Sequence, residues 1–374
     1  MVLAKQGNFS IVFFLYDKSI GITEHICNMA LNLNSLTEII AVYDKRIEKT
    51  DKYLYKLKTA GIQVIDISFL EHFIKLQAGR KLIFHCQGFL HLKIASKLKR
   101  SHDKIVITVH AYRHYWRFWK FPLTLYLYSR YKSAVDIWHF LCGKSQKEFF
   151  WFRKFAKKPG KAFVFPLGVE DEFINSHSDQ VKCCDIDDID GEGISFNNGE
   201  KRIVYIADFN HVKRHKLLLR SLKNILKNDT VLYLLGDGPL IGECLEYTKR
   251  LGIQNNVVFT GRVSRDAVRS ILSKASVAVV PSRSETFGWC LLEPFCMDKP
   301  IVTTNVGIAD SLVQDFRNGF ILDVNCKEEE FCDKVKYALE HLQNVDNSSM
   351  KNLYNWQTFS SNMKQCYDYV MDMR

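Results

Sequence analysis

What most constrains this chain is an alternation that runs along its whole length, in which short β-branched or aromatic runs are separated by longer helix-like segments. That alternation is the pattern of parallel sheets covered by helices on both faces. In the first half the runs predict strands at Ile11–Tyr16, Ile39–Val42, Gln63–Ile67, Leu82–Cys86, Ile105–His110, Val135–Phe140 and Ala162–Phe165. A second series follows at Ile203–Ile206, Val231–Leu235, Val257–Thr260, Val277–Val280, Ile301–Thr303 and Phe320–Leu322. Between them, residues 176–201 are acidic, contain Gly and Asn, and lack apolar periodicity, as expected of a linker or boundary loop. The expected organisation is an N-terminal domain over 1–175, the linker over 176–201, a second domain over 202–355 and a terminal helix over 356–374. With 374 residues, 47% of them hydrophobic and 25% charged, the chain has material for two ordinary cores and is far from disordered or fibrous composition.

The balance of 52 Lys+Arg against 41 Asp+Glu gives +11, which implies a polyanion, a phosphorylated small molecule or an anionic lipid surface as partner. Eleven scattered cysteines, with no CxxC pair and no Cys/His set at zinc spacing, fit a reducing compartment; the adjacent Cys183 and Cys184 read as exposed thiols in the acidic loop. The apolar run near the N-terminus stops at Tyr16 and Asp17, too short for a membrane span and without a small-residue cleavage site. No other stretch reaches the apolar length of a span, so the chain is expected to lie on a bilayer rather than cross it.

The stretch Val277–Leu322 carries the most chemistry. A buried strand ends at Pro281, a polar loop carries Glu285, and Phe287 and Gly288 open an apolar helix that contains Glu293 about two turns in. Backbone N–H groups near Phe287–Trp289, with the positive end of the helix dipole, suit a diphosphate. One acid then reaches a sugar and the other the ribose hydroxyls. Taken alone, the segment equally fits a capped surface helix with Glu293 solvated.

In sequence this segment resembles the E-x7-E signature of retaining glycosyltransferases of the GT-B fold, specifically glycosyltransferase family 4. The likeness runs through Glu285, Phe287, Gly288, Glu293, Pro300, Ile301, Val302 and Thr304, then Asn318 and Gly319. Upstream, Gly236, Asp237, Gly238, Pro239, Gly252, Val258, Phe259, Gly261 and Val263 resemble the family's G-D-G-P block. The resemblance implies that Gly261, Arg262 and Val263 set backbone against the nucleotide base, and that Thr286, Phe287, Gly288 and Trp289 line the donor. Lys213 matches the lysine that the family supplies to the donor phosphates. Asp208 falls where an arginine is usual, Ala207 where a glycine is, and Arg214 where a second glycine is. That departure leaves Lys213 and the helix N-terminus as the main phosphate neutralisers, with Arg214 or Arg262 as substitutes for the missing cation. Lys213 by itself also fits a solvated helix start.

In the first half, Gly21 and His25 resemble the family's glycine loop and first helix, with Ile20 where one glycine stands. His25 fits a packed helix residue as well as a functional one. His110, at the end of a strand, matches a histidine that faces the donor sugar in the family, and ligands of doubly wound sheets bind at that edge. Pro166, Gly168 and Val169 resemble a structural stretch before the interdomain linker, and Trp356 an anchor of the terminal helix that crosses back to the first domain.

Between Tyr112 and Lys161 the chain is crowded with aromatic and basic residues, which suits a headgroup interface. Buried aromatics with a basic rim, or single-stranded nucleic acid, are the other readings; without an RNA-binding motif no nucleic-acid partner is expected.

The expectation is therefore an α/β protein of two facing Rossmann-like domains. It moves a hexose or N-acetylhexosamine from a nucleoside-diphosphate sugar, UDP before GDP-mannose, to a saccharide or lipid-linked acceptor in polysaccharide biosynthesis. Glu285, Lys213 and His110 would be catalytic, while Gly21, Asp208, Arg214, Gly236, Arg262, Val263, Thr286, Phe287, Gly288, Trp289 and Glu293 would bind the donor. No cofactor or essential metal is expected, and the place of work is the inner face of the plasma membrane. A storage-sugar transferase and a non-catalytic sugar-nucleotide sensor of the same fold are the alternatives.

Overall fold

The computed structural model describes residues 9–15, 20–46, 51–110, 130–147, 161–175, 199–227 and 229–373. The chain forms two units, residues 1–168 with 356–374 and residues 169–355. Residues 169–175, which the sequence groups with the first half, are held in the second unit because Val169 bridges Asn355 and Glu170 pairs with Arg265. Most of the expected linker (176–198), the Cys183–Cys184 pair and most of the basic aromatic stretch (111–129 and 148–160) lie outside the described residues.

In the first unit seven strands make one all-parallel sheet in the order β3-β2-β1-β4-β5-β6-β7. They are β1 Phe9–Phe14, β2 Glu38–Tyr43, β3 Gln63–Asp66, β4 Lys81–Cys86, β5 Lys104–Val109, β6 Ile137–Phe140 and β7 Lys161–Val164. Six strands make the second unit's sheet in the order β10-β9-β8-β11-β12-β13. These are β8 Lys201–Ile206, β9 Thr230–Leu235, β10 Val257–Gly261, β11 Val277–Val280, β12 Ile301–Thr304 and β13 Gly319–Leu322. Every expected strand is present, shifted by at most two residues at an end. Each sheet has one point where strand order reverses, between β1 and β4 and between β8 and β11. In open parallel sheets ligands bind at such a point, outside the carboxyl ends of the strands. This is the GT-B fold.

The first sheet shows why continuous apolar runs were needed. One face carries Val12, Phe14, Ile40, Val42, Leu82, Phe84, Ile105, Ile107, Trp138 and Phe140, all buried in one core. Each such side chain contributes about 1.5–3 kcal/mol of burial. The opposite face is also buried but is partly polar, with His85, Thr108 and His139 on β4, β5 and β6 fully covered. Tyr367, on the terminal helix Trp356–Asp372, meets them.

With both imidazoles neutral, the direction of every hydrogen bond in this group follows from one end. The Phe165 carbonyl only accepts, so His139 donates its Nε2–H to it at 3.0 Å. His139 Nδ1 then accepts from the Thr108 hydroxyl at 3.0 Å. The Thr108 oxygen receives His85 Nε2–H at 2.7 Å, and His85 Nδ1 accepts from the Tyr367 hydroxyl at 2.6 Å. This set of directions needs both imidazoles neutral. Burial enforces that by lowering His139 to about 4 and His85 well below the ordinary histidine range.

Among the described residues no helix is long and apolar enough to cross a membrane. All nine described cysteines are free, and eight of them are buried.

Candidate functional site

The reversal point of the second sheet gathers the segments that follow β8, β9, β11 and β12. After β8 the chain runs through Ala207 and Asp208 to Lys213 and Arg214, then enters the helix His215–Leu222. Arg214 sits in the left-handed region, φ 58°, as cap residue of that helix. A glycine is the usual occupant of such a position because it has no Cβ to clash. Arg214 takes it here and directs its Nη1 to the Val324 carbonyl at 2.5 Å, so the guanidinium is engaged with backbone. Gly236, at the end of β9, approaches so closely that an added Cβ would lie 2.2 Å from the Ala207 carbonyl oxygen. Its own N–H bonds to the Gly261 carbonyl at 2.8 Å, which draws the β10 end with Arg262 and Val263 into the same cluster.

After β11 the chain turns through Ser282–Phe287 before the helix Trp289–Cys296. This loop is stitched to the β8 loop. Arg283 N–H donates to the Val212 carbonyl at 2.8 Å, and Tyr205 on β8 donates its hydroxyl to the Lys213 carbonyl at 2.8 Å, within 3.0 Å of Ser282 Oγ. The Thr304 hydroxyl holds the Ser282 carbonyl at 2.5 Å from the β12 side. On that same side Gly307 lets two backbones touch: a Cβ there would stand 2.1 Å from the Phe287 carbonyl oxygen, which accepts Ile308 N–H at 2.9 Å.

These restraints bring Lys213 Nζ to 2.5 Å from Glu285 Oε1, with side chains 19% and 11% exposed. Burial works against the ammonium, but the Glu285 carboxylate overrides it and holds Lys213 above its usual range. The helix that follows begins at Gly288 without a side-chain cap and without an acidic residue in its first turn. Its N-terminal dipole end is therefore not offset by a carboxylate of its own first turn.

Glu293, inside that helix, is buried rather than solvated. Its Oε1 accepts from Arg265 Nη1 at 2.6 Å, and Arg265 Nη2 reaches Glu170 Oε2 at 2.8 Å. Burial opposes the Arg265 charge, yet Glu293 and Glu170 outweigh it and raise the guanidinium above its ordinary value. Arg265 also lies over the Phe173 ring, 4.8 Å from its centroid. It is positioned as the first residue of the helix Arg265–Ser273, whose Ser264 cap accepts from Ala267 N–H at 3.1 Å.

Asp208, in the place where an arginine was expected to be usual, is exposed and meets Arg262 Nη2 at 3.3 Å. The arginine beside Asp208 comes from just after β10. With side chains 57% and 65% exposed the pair itself adds little stability.

The reversal point of the first sheet is described by itself. His110 directly follows β5, is buried, and donates Nε2–H to the Gln87 side-chain carbonyl just past β4. Gln87 N–H in turn donates to His91 Nδ1 at 3.2 Å. Burial, then the neighbouring His25, keeps His110 well below the usual histidine range. His25 stacks near it with ring centroids 6.0 Å apart, and Gly21 is the second residue of the same helix, Ile20–Leu33.

Of the residues anticipated from sequence, Lys213 and Glu285 are in contact, Thr286, Phe287, Gly288 and Trp289 follow Glu285 into the helix that buries Glu293, and Asp208, Arg214, Gly236, Arg262 and Val263 lie on the loops after β8, β9 and β10. Gly21 and His110 belong to the other unit. Sequence reasoning missed Tyr205, Gly307, Arg265, Glu170 and Gln87. Gly307 carried a readable signal, a glycine just after a strand. The other four are ordinary residues whose importance comes from what folding sets next to them.

Comparison with known proteins places this geometry. The family described as Glycosyl transferases group 1 matches residues 188–352, a span that holds nearly all of the second unit and its site. Over 133 residues the chain is 32% identical to N-acetyl-alpha-D-glucosaminyl L-malate synthase of Bacillus anthracis, covering 35% of this chain and 34% of that protein. Over 124 residues it is 25% identical to alpha-monoglucosyldiacylglycerol synthase of Streptococcus pneumoniae, covering 33% of this chain and 28% of that protein. The chain thus spans about a third of the length of these curated relatives. In structure it is similar to Anabaena HepE in complex with UDP and glucose, with TM-score 0.75 and 14% identity, covering 96% of this chain and 100% of that one.

Proposed function

We propose that the chain is a retaining glycosyltransferase that moves a hexose or N-acetylhexosamine from a nucleoside-diphosphate sugar to a saccharide or lipid-linked saccharide. The observation that carries this reading is the Lys213–Glu285 pair, 2.5 Å apart across the reversal point of the second sheet and beside an uncapped helix start. An ammonium and a row of backbone N–H groups at such an edge suit a diphosphate leaving group. The carboxylate next to them suits the hydroxyls of the sugar being transferred.

In this mechanism the donor diphosphate lies against Lys213 and the Phe287–Trp289 turn, which stabilise the charge that builds as the glycosidic bond breaks. Glu285 holds sugar hydroxyls and keeps Lys213 protonated. Glu293 accepts hydrogen bonds from ribose, and the Arg262–Val263 backbone meets the base. Rate enhancement comes from positioning and electrostatic stabilisation, without a required metal. UDP is the favoured carrier, in keeping with the UDP held by HepE, and GDP-mannose is second. A lipid-borne acceptor is in keeping with one relative, whose named product is a glycolipid. The basic aromatic stretch around residues 112–161 provides attachment to an anionic membrane at its inner face, in polysaccharide biosynthesis.

The test is nucleotide release by purified protein from a panel of UDP- and GDP-sugars, with and without lipid-linked acceptors, comparing wild type with Glu285→Ala. Release from one donor, lost in the variant and giving a product of retained anomeric configuration, supports the reading. Nucleotide binding without any release across the panel replaces it with the sensor reading, for which Asp208 at the arginine position is the motivating residue.

A further inference from the structure

We infer that Arg265 is a positioning residue of the nucleotide site, which orients the Glu293 carboxylate for ribose and so sets discrimination between ribose and deoxyribose. The inference rests on the reading of the second unit as a nucleotide-sugar site. Glu293 projects from the helix that starts at Gly288, and a buried carboxylate on a helix has rotamer freedom unless something holds it. The guanidinium fork of Arg265 does so, with one arm on Glu293 Oε1 at 2.6 Å and the other on Glu170 Oε2 at 2.8 Å. The Phe173 ring supports the face of the same guanidinium. Arg265 is thereby fixed from three directions by groups of its own unit.

The consequence for recognition is chemical. A carboxylate held by an arginine keeps its charge and a fixed direction. Vicinal ribose hydroxyls are donors that match such a carboxylate, and a 2′- or 3′-deoxy sugar removes one of them. A lysine cannot reproduce the arrangement, because a single ammonium does not span two carboxylates in planar fork geometry. Glu170 acts as the second anchor that keeps the fork from turning.

The experiment is calorimetric titration of the full-length protein with UDP, 2′-deoxy-UDP and 3′-deoxy-UDP, and with the guanosine counterparts. Wild type, Arg265→Lys and Arg265→Met are compared, each checked for folding by circular dichroism. Wild type is expected to favour the ribonucleotide about tenfold or more over at least one deoxy form, as for a lost hydrogen bond to a charged group. In Arg265→Lys, and in Arg265→Met if it folds, that ratio falls to within about threefold while overall binding through Lys213 persists. A folded variant that keeps the wild-type ratio overturns the role of Arg265, as does a wild type that does not distinguish ribose from deoxyribose. Absence of any nucleoside diphosphate binding in wild type instead overturns the reading of the whole site.

Discussion

Replacing Thr108 by valine preserves shape on the polar face of the first sheet but removes one hydroxyl that serves two histidines. In the native chain of bonds that hydroxyl donates to His139 Nδ1 and accepts from His85 Nε2–H, and all three side chains are fully buried. Thr108→Val therefore leaves one buried acceptor and one buried donor without partners, at about 1–3 kcal/mol each, for a loss of about 2–6 kcal/mol. Tyr367→Phe cuts only the first link and orphans only His85 Nδ1, so its cost is about 1–3 kcal/mol. The double variant is expected to lose less than the sum, because both changes act on one network. Native-state hydrogen exchange of the β4, β5 and β6 amides reads these losses locally. Nitrogen-15 NMR of the imidazoles should show His85 and His139 both neutral with the proton on Nε2.

The same network fixes a pH dependence. His139 titrates at about 4 in the folded chain against an ordinary 6.5. Between those values the unfolded chain binds a proton that the folded one does not, so stability falls as pH drops from 6.5 to 4 and this contribution stops changing below 4. The loss is about 3 kcal/mol at ~1.4 kcal/mol per pH unit. An Nδ1–H tautomer at either histidine, or unchanged protection in Thr108→Val, would refute the reasoning.

Three further outcomes are expected. Lys213→Met should reduce nucleotide release by about a hundredfold or more, as removal of a preorganised charge at the leaving group does, with less than tenfold change in donor KM; steady-state kinetics checks this. Gly307→Ala should cost about 1–3 kcal/mol and weaken nucleotide binding, because its Cβ would press 2.1 Å from the Phe287 carbonyl and shift the loop that carries Glu285; melting curves and UDP titration read both effects. Arg214→Gly should change stability by less than about 1 kcal/mol, since relief of the left-handed backbone offsets the lost bond to Val324; a large loss in chemical denaturation would show that the side chain matters more than its backbone.

What the sequence determined by itself was everything local. A parallel strand buried on both faces must be a short continuous apolar run, and so each of the strands from Phe9–Phe14 to Gly319–Leu322 was legible in order. The Glu285 loop, the Gly288 helix start and Lys213 were legible too, because each is written in adjacent residues with a motif around it. Only the tertiary structure decided which charges meet. Glu293 is buried and paired with Arg265, which follows β10 and is 28 positions away, so the solvated alternative does not hold. Glu170 joins them from 95 positions away. Asp208 pairs with Arg262, 54 positions on, because Gly236 bonds to the Gly261 carbonyl and brings the two loops together. Ion pairs and buried histidine chains depend on distances between side chains remote in sequence. No periodicity or spacing within one segment encodes them, and they exist only once the sheet order has set the strand ends side by side.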